Sequence, residues 1–519
     1  MSRRMSGELD PVTLSVLAGA LAGIAEEMGA VLIRGAYSSN IKERRDCSTA
    51  LFDPAGAMVA QAEHIPVHLG AMPEAVRAVM ERAPRPGDVF LINDPFSGGT
   101  HLPDLTMVSP LAPEGDVVGF AVTRAHHSDV GGKDPGSMPA DSKSIFEEGL
   151  VIPAVRLVRE GGLDDDLLAL ILANVRTPEL RRGDLRAQLA AHALGEARVG
   201  ELMRRPGIPP LATGFAAVLA YAERRTRETL RGLPDGVAEA AGELEGDGVT
   251  SGDVPIRVRV EIRGDAMSID FAGTAPAVAG NVNCPIAVTR SACFFALRVL
   301  QPSDVPANAG AYVPLTITAP AGSLVAAQRP SAVVAGNVET SQRIADTVLG
   351  ALGQLVDGLP AQGQGTMNNV VIGGAGWTYY ETIGGGQGAG PRGRGASGVH
   401  VGMTNTLNTP VEALELEYPM RVERYELVDG SGGAGLHAGG DGIERSIRVL
   451  EPCRLSLLTD RRRHAPAGAR GGGPGRVGAN RLNGEDLPAK VSRALAAGDV
   501  ISVVTPGGGG WGEAAPEAG

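Results

Sequence analysis

The sequence predicts an α+β fold, because helical and strand-like stretches occupy different parts of the chain. Near the start, apolar residues recur every three or four positions between residues 14 and 28, as in an amphipathic helix. Between residues 256 and 271, apolar and polar residues alternate, as in a hairpin of half-buried strands. After residue 421, short apolar runs alternate with glycine turns, which indicates a β-rich end.

Chain length and turn signals divide this fold into lobes. At 519 residues, the chain exceeds the usual size of one domain. The sequence LPDG at residues 233–236 is a candidate boundary. We therefore predict an N-terminal lobe at 1–235, a mixed α+β lobe at 236–420 and a β-rich lobe at 421–519. Hydrophobic residues make up 43% of the chain and aromatic residues 3%, so these lobes need cores of Ala, Val and Leu.

The overall composition excludes some classes of function. A formal net charge of −12 argues against nucleic-acid binding as the main role. The four cysteines form no C-x-x-C pair, as expected for reduced intracellular thiols. No apolar run of signal-peptide type follows the basic start, and no stretch of about twenty residues looks apolar enough to span a membrane. We expect a soluble cytoplasmic protein.

Helix signals are strongest in the N-terminal lobe. Asp10 and Pro11 suit the cap and the first position of a helix that extends to about residue 36. A strand is predicted at residues 50–52. A second helical region covers about residues 164–203, interrupted by a Thr-Pro pair.

Further helices are predicted at about residues 216–230, at 286–300 and after Thr340. Cys284 and Cys293 flank or lie within the middle one of these. We interpret both as small buried apolar residues rather than as nucleophiles.

A glycine-dense stretch at residues 384–390 invites comparison with phosphate-binding loops. It lacks the Gly-Lys-Ser/Thr ending of a P-loop, and no G-x-G-x-x-G joins a strand to a helix. We predict no nucleotide-binding residues in this chain. The stretch is better interpreted as a loop that lets the backbone approach a substrate or a partner.

The most informative segment is NDPFSGGTHLPD at residues 93–104. Pro95 and Pro103 break any helix there, and the paired glycines permit backbone angles that other residues resist. His101 and Asp104 are therefore expected on a loop or at a strand end, where functional groups are often displayed.

A second polar segment, RAHHSDVGG, follows at residues 124–132. The apolar runs between the two segments, at 107–108 and 117–122, are typical of strands. A hairpin-like return would bring His126 beside His101. Two imidazoles and a carboxylate are suitable ligands for a divalent ion such as zinc or manganese.

These segments, with four others, resemble the hydantoinase B/oxoprolinase family, which also contains the alpha subunits of acetone and acetophenone carboxylases. The other motifs are NIKERRDCS at 40–48, HIPVHLG at 64–70, GNVETSQR at 336–343 and TNTLNTPVE at 404–412. The resemblance implies a metal bound by His101, Asp104 and His126. A nearby carboxylate, Asp46 or Glu43, would be the fourth ligand.

Other residues are candidates for substrate contact. His64 and His68 are four residues apart, but Pro66 between them disfavours a helix, and His68 is expected to line the site. His400 and Asn405 are expected in a second substrate-contacting loop.

That second loop departs from the family pattern. Family members often carry a second histidine where Gly402 stands and an arginine where Leu407 stands, so the usual contacts of this loop are in doubt.

The polar stretch at residues 136–149 could cover a site, and Glu147 or Glu148 could act there. A surface loop is the simpler interpretation, and we expect that.

A water bound to a divalent cation loses its proton near neutral pH and can attack a carbonyl or an activated imidate. Asp129, Asp46 or His127 could orient that water. A five-membered cyclic amide is a poor electrophile, and the resemblance implies that a separate A-type subunit uses ATP to activate it. The resemblance thus implies the metal-bearing B-type partner in an ATP-dependent cyclic-amide hydrolase, in a hetero-oligomer such as A2B2.

Two alternatives remain open. One is the alpha subunit of an ATP-dependent ketone carboxylase, although acetone carboxylase alpha subunits are considerably longer than this chain. The other is a non-catalytic scaffold that positions an A-type subunit, against which the histidines and aspartate of the candidate site argue.

Overall fold

A computed structural model describes residues 9–63 and 65–514. It contains four separate β-sheets with helices packed against them, and the predicted α+β class is confirmed. His64, one of the two histidines of the HIPVHLG motif, lies outside the described residues.

The first sheet has seven antiparallel strands, ordered β2-β1-β5-β4-β3-β6-β7. Their bounds are β1 Cys47–Phe52, β2 Met58–Glu63, β3 Val89–Ile92, β4 Asp104–Leu111, β5 Gly119–His126, β6 Val155–Arg159 and β7 Gly162–Leu163. The helices of this part are α1 Pro11–Gly35, α2 Ser39–Lys42, α3 Met72–Met80, α4 Ile145–Glu148, α5 Asp165–Ala173, α6 Pro178–Met203 and α7 Leu211–Arg231. The predicted helix start is confirmed, because the Asp10 side chain accepts hydrogen bonds from the backbone N–H groups of Val12 and Thr13.

Helix α1 corrects one expectation from the sequence. It is long and apolar enough to cross a membrane by length and composition, although the sequence suggested no such stretch. Its buried side chains, including Leu17, Leu21 and Met28, pack in a hydrophobic cluster with residues of β1, α6 and α7. Core packing therefore accounts for its apolar face.

The second sheet, ordered β11-β10-β9-β8, is followed by the helices of the middle region. Its strands are β8 Gly236–Glu245, β9 Asp253–Arg263, β10 Ala266–Asp270 and β11 Leu315–Thr318, and the helices are α8 Ile286–Leu300, α9 Ala309–Tyr312 and α10 Ser341–Leu355. The predicted hairpin and the predicted helix at 286–300 are confirmed. Cys284 and Cys293 are buried as predicted, and burial raises the pKa of the Cys284 thiol to about 12.

The last part of the chain is rich in strands, as predicted, and forms two sheets. Their orders are β13-β12-β16-β19 and β14-β15-β20-β17-β18. The elements are β12 Asn369–Gly374, β13 Trp377–Thr382, α11 Val411–Glu417, β14 Met420–Leu427, β15 Ile443–Val449, β16 Cys453–Leu458, β17 Ala479–Leu482, β18 Glu485–Leu487, β19 Lys490–Leu495 and β20 Val500–Val504.

The glycine-dense stretch packs against the backbone of this same chain. A Cβ at Gly386 would lie 2.1 Å from the carbonyl oxygen of Gly440 and 2.1 Å from the backbone nitrogen of Gly508. Only glycine permits such an approach. The stretch therefore joins distant turns of the C-terminal region.

One hydrophobic core includes residues from the first, second and third sheets, among them Phe52, Ile256 and Leu458. The proposed division at residues 235 and 420 remains a prediction.

Candidate metal centre

The register of β4 and β5 brings Asp104 opposite His126. The loop before β4 is fixed by Asn93, whose Nδ2 donates to the carbonyl oxygens of Leu102 and Leu150 at 2.8 and 2.9 Å. This places His101, just before Leu102, beside Asp104 and His126. The return predicted from the sequence is therefore formed.

His101, Asp104 and His126 present three ligand atoms to one point. His101 Nε2 lies 3.1 Å from Asp104 Oδ1, His126 Nδ1 lies 3.3 Å from the same oxygen, and the two nitrogens are 3.2 Å apart. Tetrahedral ligands about 2.0 Å from a zinc ion would be about 3.3 Å from one another. The arrangement therefore fits a divalent ion without rearrangement of these side chains.

The two oxygens of Asp104 have different surroundings. Oδ2 accepts a hydrogen bond from Thr100 Oγ1 and lies 3.3 Å from His68 Nε2. Oδ1 is buried and faces the ring nitrogens of His101 and His126. Asp104 is thus arranged to offer one oxygen to an ion, while Thr100 and His68 fix the other.

The electrostatics of the cluster favour a charged carboxylate and at least one neutral imidazole. Burial opposes ionisation of Asp104, but the charge of His101 and hydrogen bonds from His101, His126 and His68 hold its pKa well below the usual range. Burial lowers the pKa of His126, although Asp104 and Asp46 act in the opposite direction. A neutral ring keeps a lone pair available for a metal.

His68 is brought to the cluster, but through Asp104. Its Nδ1 lies 2.9 Å from Ser48 Oγ, and its Nε2 faces Asp104. Its predicted role in substrate contact remains a prediction.

Asp46 lies directly beside His126. Its carbonyl oxygen accepts the His126 backbone N–H at 3.0 Å, and its side chain is buried. Glu43, the alternative fourth ligand, is partly exposed and has Glu417 as a charged neighbour. The converging ligand atoms are those of His101, Asp104 and His126, and the role of Asp46 as a fourth ligand remains a prediction.

Three residues around the cluster were missed from the sequence. The Tyr380 ring stacks on the His126 ring, with centroids 4.4 Å apart and planes inclined by 13°. Arg44 Nη1 donates to the Tyr380 carbonyl oxygen at 2.9 Å, and Asn40 Nδ2 donates to the His126 carbonyl oxygen at 2.8 Å. Asn40 and Arg44 belong to the NIKERRDCS motif, which was a signal for them, whereas nothing in the sequence singled out Tyr380.

His127 and Asp129 lie apart from the three ligand atoms. Successive residues of an extended chain point to opposite sides, and His127 Nε2 accordingly faces Gln188 of α6 at 3.0 Å. Burial lowers the pKa of His127 to about 4. Asp129 accepts hydrogen bonds from Arg176 and from the backbone of Gly131 and Gly136. Their catalytic roles remain predictions, and these contacts fix the segment after β5 to its neighbours.

His400 and Asn405 belong to one loop but differ in surroundings. His400 Nε2 lies 2.9 Å from Asn408 Oδ1, and burial lowers the pKa of His400 to about 4. Asn405 is exposed. The loop is tied towards the cluster by Arg44, which bonds Thr406 Oγ1 at 3.3 Å.

The stretch at 136–149 is not the surface loop expected from the sequence, because most of its residues are buried. The Glu148 carboxylate accepts hydrogen bonds from the backbone N–H groups of Val333 and Val334. Burial raises the pKa of Glu148 to about 7. Glu148 therefore fixes this stretch to the segment before α10.

Comparisons with known proteins point in one direction. The sequence model of hydantoinase B/oxoprolinase matches residues 10–514. The chain is 40% identical to 5-oxoprolinase 1 of Arabidopsis thaliana over 97% of this chain and 42% of that protein. It is 32% identical to the putative B component of a D-/L-hydantoinase from a Pseudomonas species, over 97% of this chain and 90% of that protein. The chain thus spans less than half of the plant relative.

Solved structures give the same fold. An ATP-dependent caprolactamase from Pseudomonas jessenii superimposes with a TM-score of 0.90 at 30% identity, over 97% of this chain and 91% of that chain. A nucleotide-free acetone carboxylase superimposes with a TM-score of 0.87 at 18% identity, over 97% and 76% respectively. At that identity, the second likeness concerns the fold alone.

Proposed function

The chain belongs to the hydantoinase B/oxoprolinase family, and on that premise we propose that it is the metal-bearing B-type component of an ATP-dependent cyclic-amide hydrolase. The observation that supports this best is the buried triangle of His101, Asp104 and His126. Its edges of 3.1 to 3.3 Å suit a zinc or manganese ion.

The roles of the chain's own residues follow from their contacts. His101 Nε2, His126 Nδ1 and Asp104 Oδ1 would hold the ion, with Asp46 as a fourth ligand. Thr100 and His68 hold the remaining oxygen of Asp104. When bound, the ion supplies Lewis acidity, which polarises a carbonyl oxygen and lowers the pKa of water.

Energy for the reaction would come from a partner. We expect an A-type subunit to transfer the terminal phosphoryl group of ATP to the amide oxygen. Two waters complete the reaction: the first adds at the activated carbon and expels the ring nitrogen, and the second releases phosphate from the resulting acyl phosphate. The products are the ring-opened acid, ADP and phosphate. The sequence of this chain contains no phosphate-loop signature. The Pseudomonas relative, which is named as one component of a hydantoinase, supports a partner, and a cytoplasmic A2B2 assembly is part of the proposal.

The substrate loop differs from the family pattern in a way that the backbone explains. Gly402 has φ +68°, and a Cβ there would lie 2.2 Å from Gln342 Oε1. A histidine at that position would be strained and would have to displace the Gln342 side chain. We propose that His400, with His68 and Asn405, carries the substrate contacts that remain.

The cluster also weighs against the scaffold alternative. His101 Nε2, His126 Nδ1 and Asp104 Oδ1 are buried and face one another at 3.1 to 3.3 Å. Burying two imidazoles and a carboxylate together costs free energy unless they are paired or coordinate a metal. A scaffold has no reason to retain them.

The proposal is tested with the complex of this chain and an A-type subunit. We expect it to open a hydantoin, 5-oxoproline or a related lactam, with ATP cleavage dependent on that ring. Product analysis is done with labelled bicarbonate present. An unlabelled ring-opened acid supports the hydrolase, whereas label fixed into a ketone would establish the carboxylase alternative instead.

A further inference from the structure

The two histidines of the cluster lack the contact that usually orients a metal-binding imidazole. A ligating histidine normally donates its second ring N–H to a carboxylate or a carbonyl group, which fixes the plane of the ring. His126 Nε2 and His101 Nδ1 are buried and have no such partner within residues 9–63 and 65–514. Another contact must therefore set the plane of these rings.

For His126 that contact is the ring of Tyr380, which lies nearly parallel to it. The tyrosine is held at both ends. Arg44 bonds its carbonyl oxygen at 2.9 Å, and its hydroxyl donates to Asn369 Oδ1 at 2.9 Å. The orientation of the Tyr380 ring is therefore determined by groups outside the cluster.

Asn369 is held in turn by Glu339. Asn369 Nδ2 donates to Glu339 Oε1 at 2.9 Å and to the Leu458 carbonyl oxygen at 2.7 Å. These bonds leave Asn369 Oδ1 directed at Tyr380. A continuous path of contacts thus joins Glu339 to His126.

Glu339 occupies an unusual position in the backbone. It lies in a π-helical turn, Gly336–Thr340, which precedes α10 and is buried throughout. Such turns are rare and are often found at functional sites. The turn is part of the GNVETSQR motif, and no residue of that motif belongs to the candidate metal cluster.

Burying this carboxyl group is costly. Burial and the neighbouring Asp460 raise the pKa of Glu339 to about 8, and Lys490 only partly opposes them. An apolar side chain would avoid this cost, so the carboxyl group needs a reason beyond packing.

We propose that Glu339 is a positioning residue of the metal centre, which acts through Asn369 and Tyr380 to set the plane of the His126 ring. The inference rests on the proposed function in that His126 is taken as a metal ligand. It adds a residue that contacts none of the three ligand side chains.

The test uses cobalt(II) as a probe of the purified chain, because its visible spectrum reports ligand geometry. Tyr380→Phe keeps the stacked ring and removes the bond to Asn369. Glu339→Ala and Asn369→Ala interrupt the path further from the cluster. We expect a changed cobalt spectrum in all three, with cobalt affinity reduced about 10–100-fold in the two alanine variants.

Two control variants distinguish a change in the plane of the His126 ring from a general loss of stability. Glu339→Gln keeps an oxygen that accepts from Asn369 and from the Met367 backbone, so its spectrum should match wild type. Asn308→Ala removes a buried asparagine whose side chain accepts a hydrogen bond from the backbone N–H of Ala311 and caps α9, away from this path. It should lower the Tm while leaving the spectrum unchanged.

The outcomes distinguish the inference from the proposed function. Wild-type protein that binds no cobalt would overturn the metal centre itself. Wild-type binding with unchanged spectra and affinities in Tyr380→Phe, Asn369→Ala and Glu339→Ala would overturn the role of Glu339 alone. Equal spectral changes in Asn308→Ala would also overturn it.

Discussion

Asp104 and His126 face each other across the antiparallel pair of β4 and β5, with His126 Nδ1 3.3 Å from Asp104 Oδ1. The proximity of these two candidate ligands is a consequence of strand register. A shift of one residue would turn His126 to the other face of the sheet, where His127 now meets Gln188. The candidate metal centre therefore depends on the register of the β4–β5 hairpin as much as on the identity of the ligands.

Thr100→Val tests whether the second oxygen of Asp104 must be held. The change removes the hydroxyl that donates to Oδ2 and nearly preserves side-chain shape. Zinc affinity should fall about 10–100-fold, as is typical when an outer hydrogen bond to a ligand is lost. Competition with a chromophoric chelator measures it. Thr49→Val, which removes a buried hydroxyl bonded to the Ala25 carbonyl oxygen, is the matched control and should bind zinc like wild type.

Asp46→Asn and Glu43→Gln distinguish the two candidates for a fourth ligand. Asp46 is buried beside His126, whereas Glu43 is partly exposed. We expect Asp46→Asn to weaken zinc binding at least about 10-fold and Glu43→Gln to leave it unchanged, by the same chelator assay. The reverse order of effects would reassign the ligand to Glu43.

The sequence anticipated much of this arrangement and missed parts of it for identifiable reasons. Proline and glycine predicted a loop or a strand end for His101 and Asp104, and the apolar runs between the two segments predicted the return to His126. Strand β8 was missed because its sequence, GVAEAAGELE, has low strand propensity and is a strand through its pairing with β9. The role of Tyr380 was missed because stacking on His126 depends on contact between distant sheets.

His192→Gln tests the buried polar layer between α6 and the first sheet. His192 lies 2.7 Å from Ser109 Oγ and 3.1 Å from Thr123 Oγ1, and burial lowers its pKa to about 3. The unfolded chain binds this proton more readily between pH 3 and an ordinary pKa of about 6.5, so stability is lost as pH falls through that range. Urea unfolding at pH 7.5 and pH 5 should show the variant losing about 2 kcal/mol less than wild type. Equal losses would refute the assignment.

Gly386→Ala tests the packing of the glycine-dense stretch. A Cβ there overlaps backbone atoms of Gly440 and Gly508, so the free energy of unfolding should fall by about 1–3 kcal/mol or more. Gly23→Ala is the control, because a Cβ at this position in α1 meets nothing within 4 Å. It should raise stability by about 0.5–1 kcal/mol. If denaturant unfolding shows Gly386→Ala to be as stable as wild type, the close backbone packing is wrong.

Metal content tests the central claim most directly. Elemental analysis of the purified chain should find about one zinc or manganese ion per protomer, because three ligands converge on one point. His101→Ala, His126→Ala and Asp104→Asn should each lose most of it, while His192→Gln should retain it. The same metal content in wild type and in all three cluster variants would contradict the account.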